Sequence, residues 1–160
     1  MNLIELAHSK GRYLCSAESL TAGRVAIEIA KTPGASRVFL GSVVAYSDAS
    51  KIALLDVPKT MISAETAVSE SVANAMSQNS RARFAEANDI ELAEVVSVAT
   101  TGVAGPDPVG AKPAGLVFIS ISSSSGTLCH EFHFSGSREE ISAAATQAAL
   151  QLIREELEQI

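Results

Sequence analysis

The chain of 160 residues contains no tryptophan, only two cysteines and three histidines, and no run of basic residues. Two cysteines are too few for a disulfide framework, and a free thiol inside an apolar run behaves as a small hydrophobic side chain. A formal net charge of −6 without a basic run argues against nucleic acid as a main partner. These absences favour a reducing, cytoplasmic setting.

Long hydrophobic runs are missing as well. No window approaches the roughly 20 apolar residues that a membrane span needs, and residues 1–11 contain no apolar stretch typical of a secretion signal. Nevertheless, 47% of the residues are hydrophobic, which is enough for one substantial core. We therefore expect a soluble protein with a single domain over residues 1–160 and no membrane partner.

The spacing of apolar residues changes repeatedly between the helical and the extended period. It predicts helices at 2–10, 20–31, 48–55, 69–87 and from 138 onward, and strands at 12–16, 38–46, 95–99, 116–122 and 128–134. The last helix is the best defined, because Ser137 and Glu140 form a capping box at its start. Helices interspersed with apolar strands predict an α/β fold, a three-layer α/β/α sandwich with a mixed, mostly parallel sheet.

Three short segments, at 17–23, 46–51 and 100–106, combine hydroxyl groups with small residues where strands are predicted to end. This combination suggests hydrolysis by hydroxyl groups rather than metal or thiol chemistry. His130 and His133 are predicted to project to opposite faces of one strand, so no metal site is expected.

Lys51 is the most informative candidate residue. Ser47 or Asp48 is the natural cap of its helix, so the lysine falls in the first turn, where the helix dipole disfavours a cation. If this position is partly desolvated, the pKa of the lysine falls toward that of a working base. The alternative is an exposed lysine that points away from the helix. Tyr46, at the same corner, either relays a proton or is an ordinary tyrosine at the end of a strand.

Two serines are candidates for the reacting hydroxyl. Ser19 lies directly before a helical pattern, where it is expected to cap the helix or to form, with Thr21 and free backbone amides, a pocket for a polar or anionic ligand, and both roles can hold at once. Ser36 stands in a turn just before the second strand. If that turn folds back beside Lys51 and Tyr46, Ser36 is the activated nucleophile.

Arg138 is predicted to occupy the first position of the last helix, where an acid is normally preferred. It either binds phosphate together with the amides of the helix start or pairs with a nearby acid such as Glu139. The segment 105–112 approaches the pattern of a phosphate loop, but Ala111 interrupts it and a strand follows, so we reject triphosphate binding. Thr101 and Gly102 remain candidates to contact a small substrate.

The segments together resemble the CinA C-terminal domain family, whose members include nicotinamide mononucleotide amidohydrolase. The similarity covers nearly the whole chain and rests on residues 17–21, 39–41, 44–47, 51, 68–69, 101–106, 112–115 and 136–138. It implies a homodimeric α/β/α domain that hydrolyses the carboxamide of this pyridine mononucleotide to the acid and ammonia, without a metal or an organic cofactor.

Carried over to matching positions, the resemblance implies that Ser36, Tyr46 and Lys51 form the catalytic group. It further implies that Ser19 and Thr101 hold the amide or the developing oxyanion. Two positions depart from the family pattern: Ala22 stands where a glycine is usual, and Ser142 stands where a second basic residue is often found.

Two other functions are compatible with this sequence. One is a nucleotide-binding or interaction module that kept the pocket and lost turnover, and the other is an amidase for a different small amide. Release of ammonia from nicotinamide mononucleotide separates the first from an enzyme, and a panel of amides with and without a phosphate separates the second.

Overall fold

The computed structural model describes all residues 1–160. Its helices are α1 (Leu3–Ser9), α2 (Arg24–Ala30), α3 (Asp48–Leu55), α4 (Lys59–Glu65), α5 (Glu70–Asn88) and α6 (Arg138–Gln159). Its strands are β1 (Tyr13–Glu18), β2 (Phe39–Val44), β3 (Val95–Gly102), β4 (Leu116–Ser123) and β5 (Gly126–His133). None of the helices is both long and apolar enough to cross a membrane.

The strands form one mixed sheet in the order β2-β1-β3-β4-β5. Strands β1, β2 and β3 run parallel, whereas β4 and β5 form an antiparallel hairpin that continues the sheet from β3. The chain leaves β1 toward one edge through α2 and returns to the other side of β1 through α3, α4 and α5. Ligands of open α/β sheets bind outside the carboxyl ends of strands at such a reversal, so the ends of β1 and β3 are the expected place for a site.

Helices cover both faces of the sheet, which confirms the predicted three-layer α/β/α sandwich. On one face α1, α2 and α6 pack against a large apolar cluster that includes Leu14, Val98 and Ile119. On the other face α5 contacts the sheet partly through buried hydroxyls, such as Ser80 with Ser97.

The helix at 48–55 and the hairpin are confirmed, and the capping box of Ser137 and Glu140 is present in both directions. The predicted helix start at residue 20 is wrong, because α2 begins only at Arg24. The preceding Ala22 and Gly23 have φ angles of 50° and 94°, which a right-handed helix does not allow. Residues 19–23 therefore form a turn that leads from β1 into α2.

Candidate functional site

Helix α3 places Lys51 inside the protein. The Ser47 side chain caps the helix by accepting a hydrogen bond from the amide of Ser50 at 3.1 Å, so Lys51 lies in the first turn as predicted. The lysine is only 1% exposed. Its Nζ donates to Ser19 Oγ at 2.9 Å and to the carbonyl oxygens of Ala45 at 3.0 Å and Tyr46 at 3.2 Å.

No acid forms a salt bridge with Lys51. Burial lowers the pKa of its amine, and the charge of Asp48 opposes this shift. A neutral amine keeps two N–H groups and one lone pair. The two carbonyl acceptors match the two N–H groups, which leaves the lone pair free to accept the proton of Ser19 Oγ. The arrangement therefore suits a general base next to a hydroxyl nucleophile.

Ser19 lies in the turn after β1 and is not the cap of α2, since Gly23 occupies the cap position. Its backbone amide donates to the carbonyl of Thr100 at 3.0 Å, which fixes the serine to the end of β3. Its hydroxyl contacts Lys51. The capping interpretation of Ser19 is therefore wrong.

The side chain that supplies hydrogen-bond acceptors to the start of α2 is that of Glu18, which was not predicted from the sequence. Glu18 is fully buried. Its carboxylate accepts hydrogen bonds from the amides of Gly23, Val25 and Ala26 at 2.9 to 3.1 Å. A signal was present: an acid that ends an apolar strand just before a turn containing glycine has backbone amides within reach.

Hydroxyl groups complete the surroundings of the Glu18 carboxylate. The hydroxyls of Ser16, Thr21 and Ser42 lie 2.7 to 3.2 Å from its oxygens. The buried Thr21 hydroxyl thus supports the turn and does not face a ligand, contrary to its predicted place in the pocket. These contacts tie β1, β2 and the start of α2 together directly behind Ser19.

A cavity of about 250 Å³ opens at the carboxyl ends of β1 and β3. Six of the predicted site residues line it: Ser19, Tyr46, Lys51, Thr101, Gly102 and Arg138. Its remaining walls come from the start of α3, the segment at Ala67 and Val68, and the loop that follows β3. The structure thus brings most of the sequence candidates together in one place.

Ser36 is not among them. It is exposed and lies in the turn Ala35–Arg37, before the first residue of β2, whereas Lys51 follows the last residue of that strand. All six residues of β2 therefore separate the two side chains. The prediction that this turn folds back beside Lys51 is wrong within one chain, because the strand is extended.

Tyr46 and Arg138 form the rim of the cavity. The Arg138 guanidinium donates to the Tyr46 hydroxyl and, at 2.8 Å, to the carbonyl oxygen of Gly105. Arg138 has no carboxylate partner, since Glu139 pairs with Arg24 instead. The Tyr46 hydroxyl is thus directed to Arg138, and only the Tyr46 backbone carbonyl contacts Lys51.

Three residues that line the cavity have backbone amides without a hydrogen-bond partner in the protein. The N–H groups of Leu20, Ala104 and Gly105 belong to residues that line it, and none of them donates a hydrogen bond to another group of the protein. The Thr101 hydroxyl, by contrast, donates to the carbonyl of Ala67 at 2.6 Å. Backbone amides without a partner are typical donors of an oxyanion hole, and these three belong to residues that line the same cavity as Ser19.

No three His, Cys, Asp or Glu side chains lie close enough together to hold a metal ion. The side-chain groups on the residues that line the cavity are the hydroxyls of Ser19, Tyr46 and Thr101, the Lys51 amine, the Arg138 guanidinium and the exposed carboxylates of Asp48 and Asp107. Among these groups, the Ser19 hydroxyl and the Lys51 amine are in hydrogen-bonding contact.

Comparison with known proteins places this geometry in context. The chain is 38% identical over 146 residues to a CinA-like protein of Desulfotalea psychrophila and 39% identical over 153 residues to one of Geotalea uraniireducens. These alignments cover 91% and 95% of the chain but only 33% and 34% of the relatives. The chain thus spans about a third of the length of the curated relatives that it matches.

A solved structure agrees with the fold. The competence-damaged protein (CinA) superfamily protein from Escherichia coli superimposes with a TM-score of 0.83 at 27% identity, over 96% of this chain and 87% of that one. The sequence model of the CinA C-terminal domain family matches residues 1–157 of the chain. The chain therefore belongs to the CinA C-terminal domain family.

Proposed function

We propose that this protein hydrolyses the carboxamide of nicotinamide mononucleotide to nicotinate mononucleotide and ammonia, with Ser19 as nucleophile and Lys51 as its base. The observation that carries the proposal is the 2.9 Å contact between Ser19 Oγ and the buried Lys51 Nζ at the wall of a cavity. Hydrolysis of this amide belongs to the salvage of pyridine nucleotides.

In the first step, Lys51 accepts the proton of Ser19 as the oxygen attacks the carboxamide carbon. The carbonyl oxygen becomes an oxyanion, and the free amides of Leu20, Ala104 and Gly105 are the donors available to stabilise it. The loss of a single oxyanion donor typically costs about 3 kcal/mol of transition-state stabilisation.

In the second step, the C–N bond breaks and the Lys51 ammonium returns its proton to the departing nitrogen, which leaves as ammonia. The acyl group is then an ester on Ser19. Lys51 next removes a proton from water, the resulting hydroxide attacks the ester carbon, and the Ser19 oxygen leaves and takes up that proton from Lys51. The acid product ionises to the carboxylate, which completes the reaction without a cofactor.

A group that can bind phosphate favours a nucleotide over an unphosphorylated amide as the substrate. Arg138 stands at the rim of the cavity without a carboxylate partner. A guanidinium of this kind offers a planar pair of donors that matches phosphate oxygens. The family resemblance supplies the identity of the ring and the amide.

Ammonia release from nicotinamide mononucleotide tests the proposal. Replacement Lys51→Met keeps most of the side-chain volume but removes the base, so we expect the rate to fall by about 10³-fold. Lys59→Met is the matched control, because Lys59 is exposed at the start of α4, and it should retain full activity.

Three outcomes are distinguishable. Loss of activity only in the Lys51 variant supports the serine–lysine mechanism. A wild-type protein that binds the nucleotide but releases no ammonia is a binding module instead. Faster turnover of an amide without a phosphate than of the nucleotide shows that the enzyme acts on another small amide.

A further inference from the structure

A second cavity adjoins the first. Its volume is about 340 Å³, and it shares Leu20, Tyr46 and Arg138 with the cavity that contains Lys51. The hydrogen-bonded side chains of Tyr46 and Arg138 thus line both spaces. A ligand whose reacting group lies against Ser19 can extend past this pair into the second cavity.

Two guanidinium groups line the second cavity. They belong to Arg138, the first residue of α6, and to Arg24, the first residue of α2. Ser142, one turn after Arg138, adds no charge, because its hydroxyl is buried and donates to the carbonyl of Leu20 at 3.2 Å. Within this cavity, Arg24 is therefore the cation that can act together with Arg138.

Arg24 forms an ion pair with Glu139. Its guanidinium donates to both oxygens of Glu139 at 2.5 and 2.6 Å. The Glu139 side chain is 73% exposed and the Arg24 side chain 38% exposed, and ion pairs in such positions contribute little to stability. A phosphate, with more charge and more acceptor oxygens than a carboxylate, can take the place of Glu139.

We propose that the second cavity is a phosphate monoester subsite in which Arg24 and Arg138 bind the phosphate after Glu139 has moved away. Glu139 is then a competitor that lowers the affinity for phosphate, and Arg24 is a specificity residue. The inference rests on the proposed function only in placing the reacting amide in the first cavity.

Kinetics with the phosphorylated and the unphosphorylated amide test the subsite. We expect Arg24→Gln to raise KM for the nucleotide by about 10-fold, the usual order for a lost hydrogen bond to a charged group, and to change kcat less. Glu139→Gln should lower the same KM, since it frees Arg24. Neither variant should alter KM for the nucleoside that lacks the phosphate.

The pair of Arg83 and Asp56 provides a matched control. These residues lie 2.6 Å apart with side chains 44% and 70% exposed, and neither lines the two cavities. Arg83→Gln and Asp56→Asn should therefore leave both KM values unchanged. Equal effects of the Arg24 and Arg83 variants would show that only the overall charge matters and would overturn the proposal.

Calorimetry separates this inference from the proposed function. If the wild type releases no ammonia but binds nicotinamide mononucleotide more tightly than Arg24→Gln does, the subsite stands and the hydrolytic function fails. If turnover is normal and neither Arg24→Gln nor Glu139→Gln changes the affinity, the subsite is wrong. Inorganic phosphate is the second probe, and binding as tight as that of the nucleotide would overturn the assignment to a monoester.

Discussion

Glu18 and Lys51 are both buried and both adjoin Ser19, but their surroundings differ. The Glu18 carboxylate accepts hydrogen bonds from three amides of the α2 start and lies within reach of three hydroxyls. Lys51 contacts one hydroxyl and two carbonyl oxygens, and no acid pairs with it. The carboxylate has hydrogen-bond donors around both of its oxygens, whereas the amine has partners that suit its neutral form as well.

This difference distinguishes a buried group with a structural role from a buried group that is suited to proton transfer. A buried carboxylate that accepts several N–H hydrogen bonds is satisfied and holds its surroundings in place. A buried amine without an opposite charge loses and regains a proton readily, which a base requires. Glu18 thus fixes the turn that carries Ser19, whereas in the proposed mechanism Lys51 accepts and returns the proton of Ser19.

The comparison predicts the largest loss of stability for Glu18→Gln. The amide oxygen is a weaker acceptor than the carboxylate, and its NH₂ group faces backbone donors, so the free energy of unfolding should fall by about 3 kcal/mol. Urea denaturation measures the change. Glu86→Gln, on the exposed side of α5, should stay within about 0.5 kcal/mol of the wild type. Equal stability of the two variants would remove the structural role of Glu18.

Lys51→Met should change stability much less, within about 1 kcal/mol at neutral pH, because the lost hydrogen bonds are offset by relief from burying an amine. The pH dependence is a sharper test. Since the pKa of Lys51 is lowered in the folded protein, the unfolded chain binds more protons between this pKa and that of a free lysine.

Wild-type stability should therefore rise relative to Lys51→Met as the pH increases through that window, and it should be lost as the pH falls through the folded pKa of Lys51. Urea denaturation of both proteins at neutral and at alkaline pH measures this. A difference that stays constant with pH would show that the lysine titrates alike in both states.

The smallest predicted effect concerns Asp48. Its charge opposes the lowering of the Lys51 pKa, so Asp48→Asn should lower that pKa further. The acid limb of the kcat/KM profile should then move to lower pH, because more of the amine is neutral there. Asp56→Asn, at the opposite end of α3, serves as control. A shift to higher pH in the Asp48 variant would contradict the role of Lys51 as a base.

The sequence predicted the fold where local rules decide it. The capping box at Ser137 and the cap at Ser47 set the starts of α6 and α3, and the hairpin follows from the turn at Ser123–Gly126. Helix α4 was not predicted, since it has no fully buried residue and only the partly buried Met61 and Ile62 pack against the core.

The site was predictable where its residues lie close together in the sequence, as Tyr46 and Lys51 do between the end of β2 and the first turn of α3. Which serine meets the lysine depends on the sheet, because β1 ends beside β2 in parallel register and so brings Ser19 to the end that carries α3. Ser36 precedes β2 and therefore lies at the opposite end of that strand from Lys51. Spacing along the chain does not contain this information, nor does it reveal that Glu18 folds back onto the amides of α2.

The rates of ammonia release by Ser19→Ala and Ser36→Ala, measured side by side with nicotinamide mononucleotide, test the central claim most directly. Our account predicts that Ser19→Ala is inactive, because the hydroxyl that faces Lys51 is gone, and that Ser36→Ala matches the wild type. Full activity of the Ser19 variant, or loss of activity only in the Ser36 variant, would contradict it.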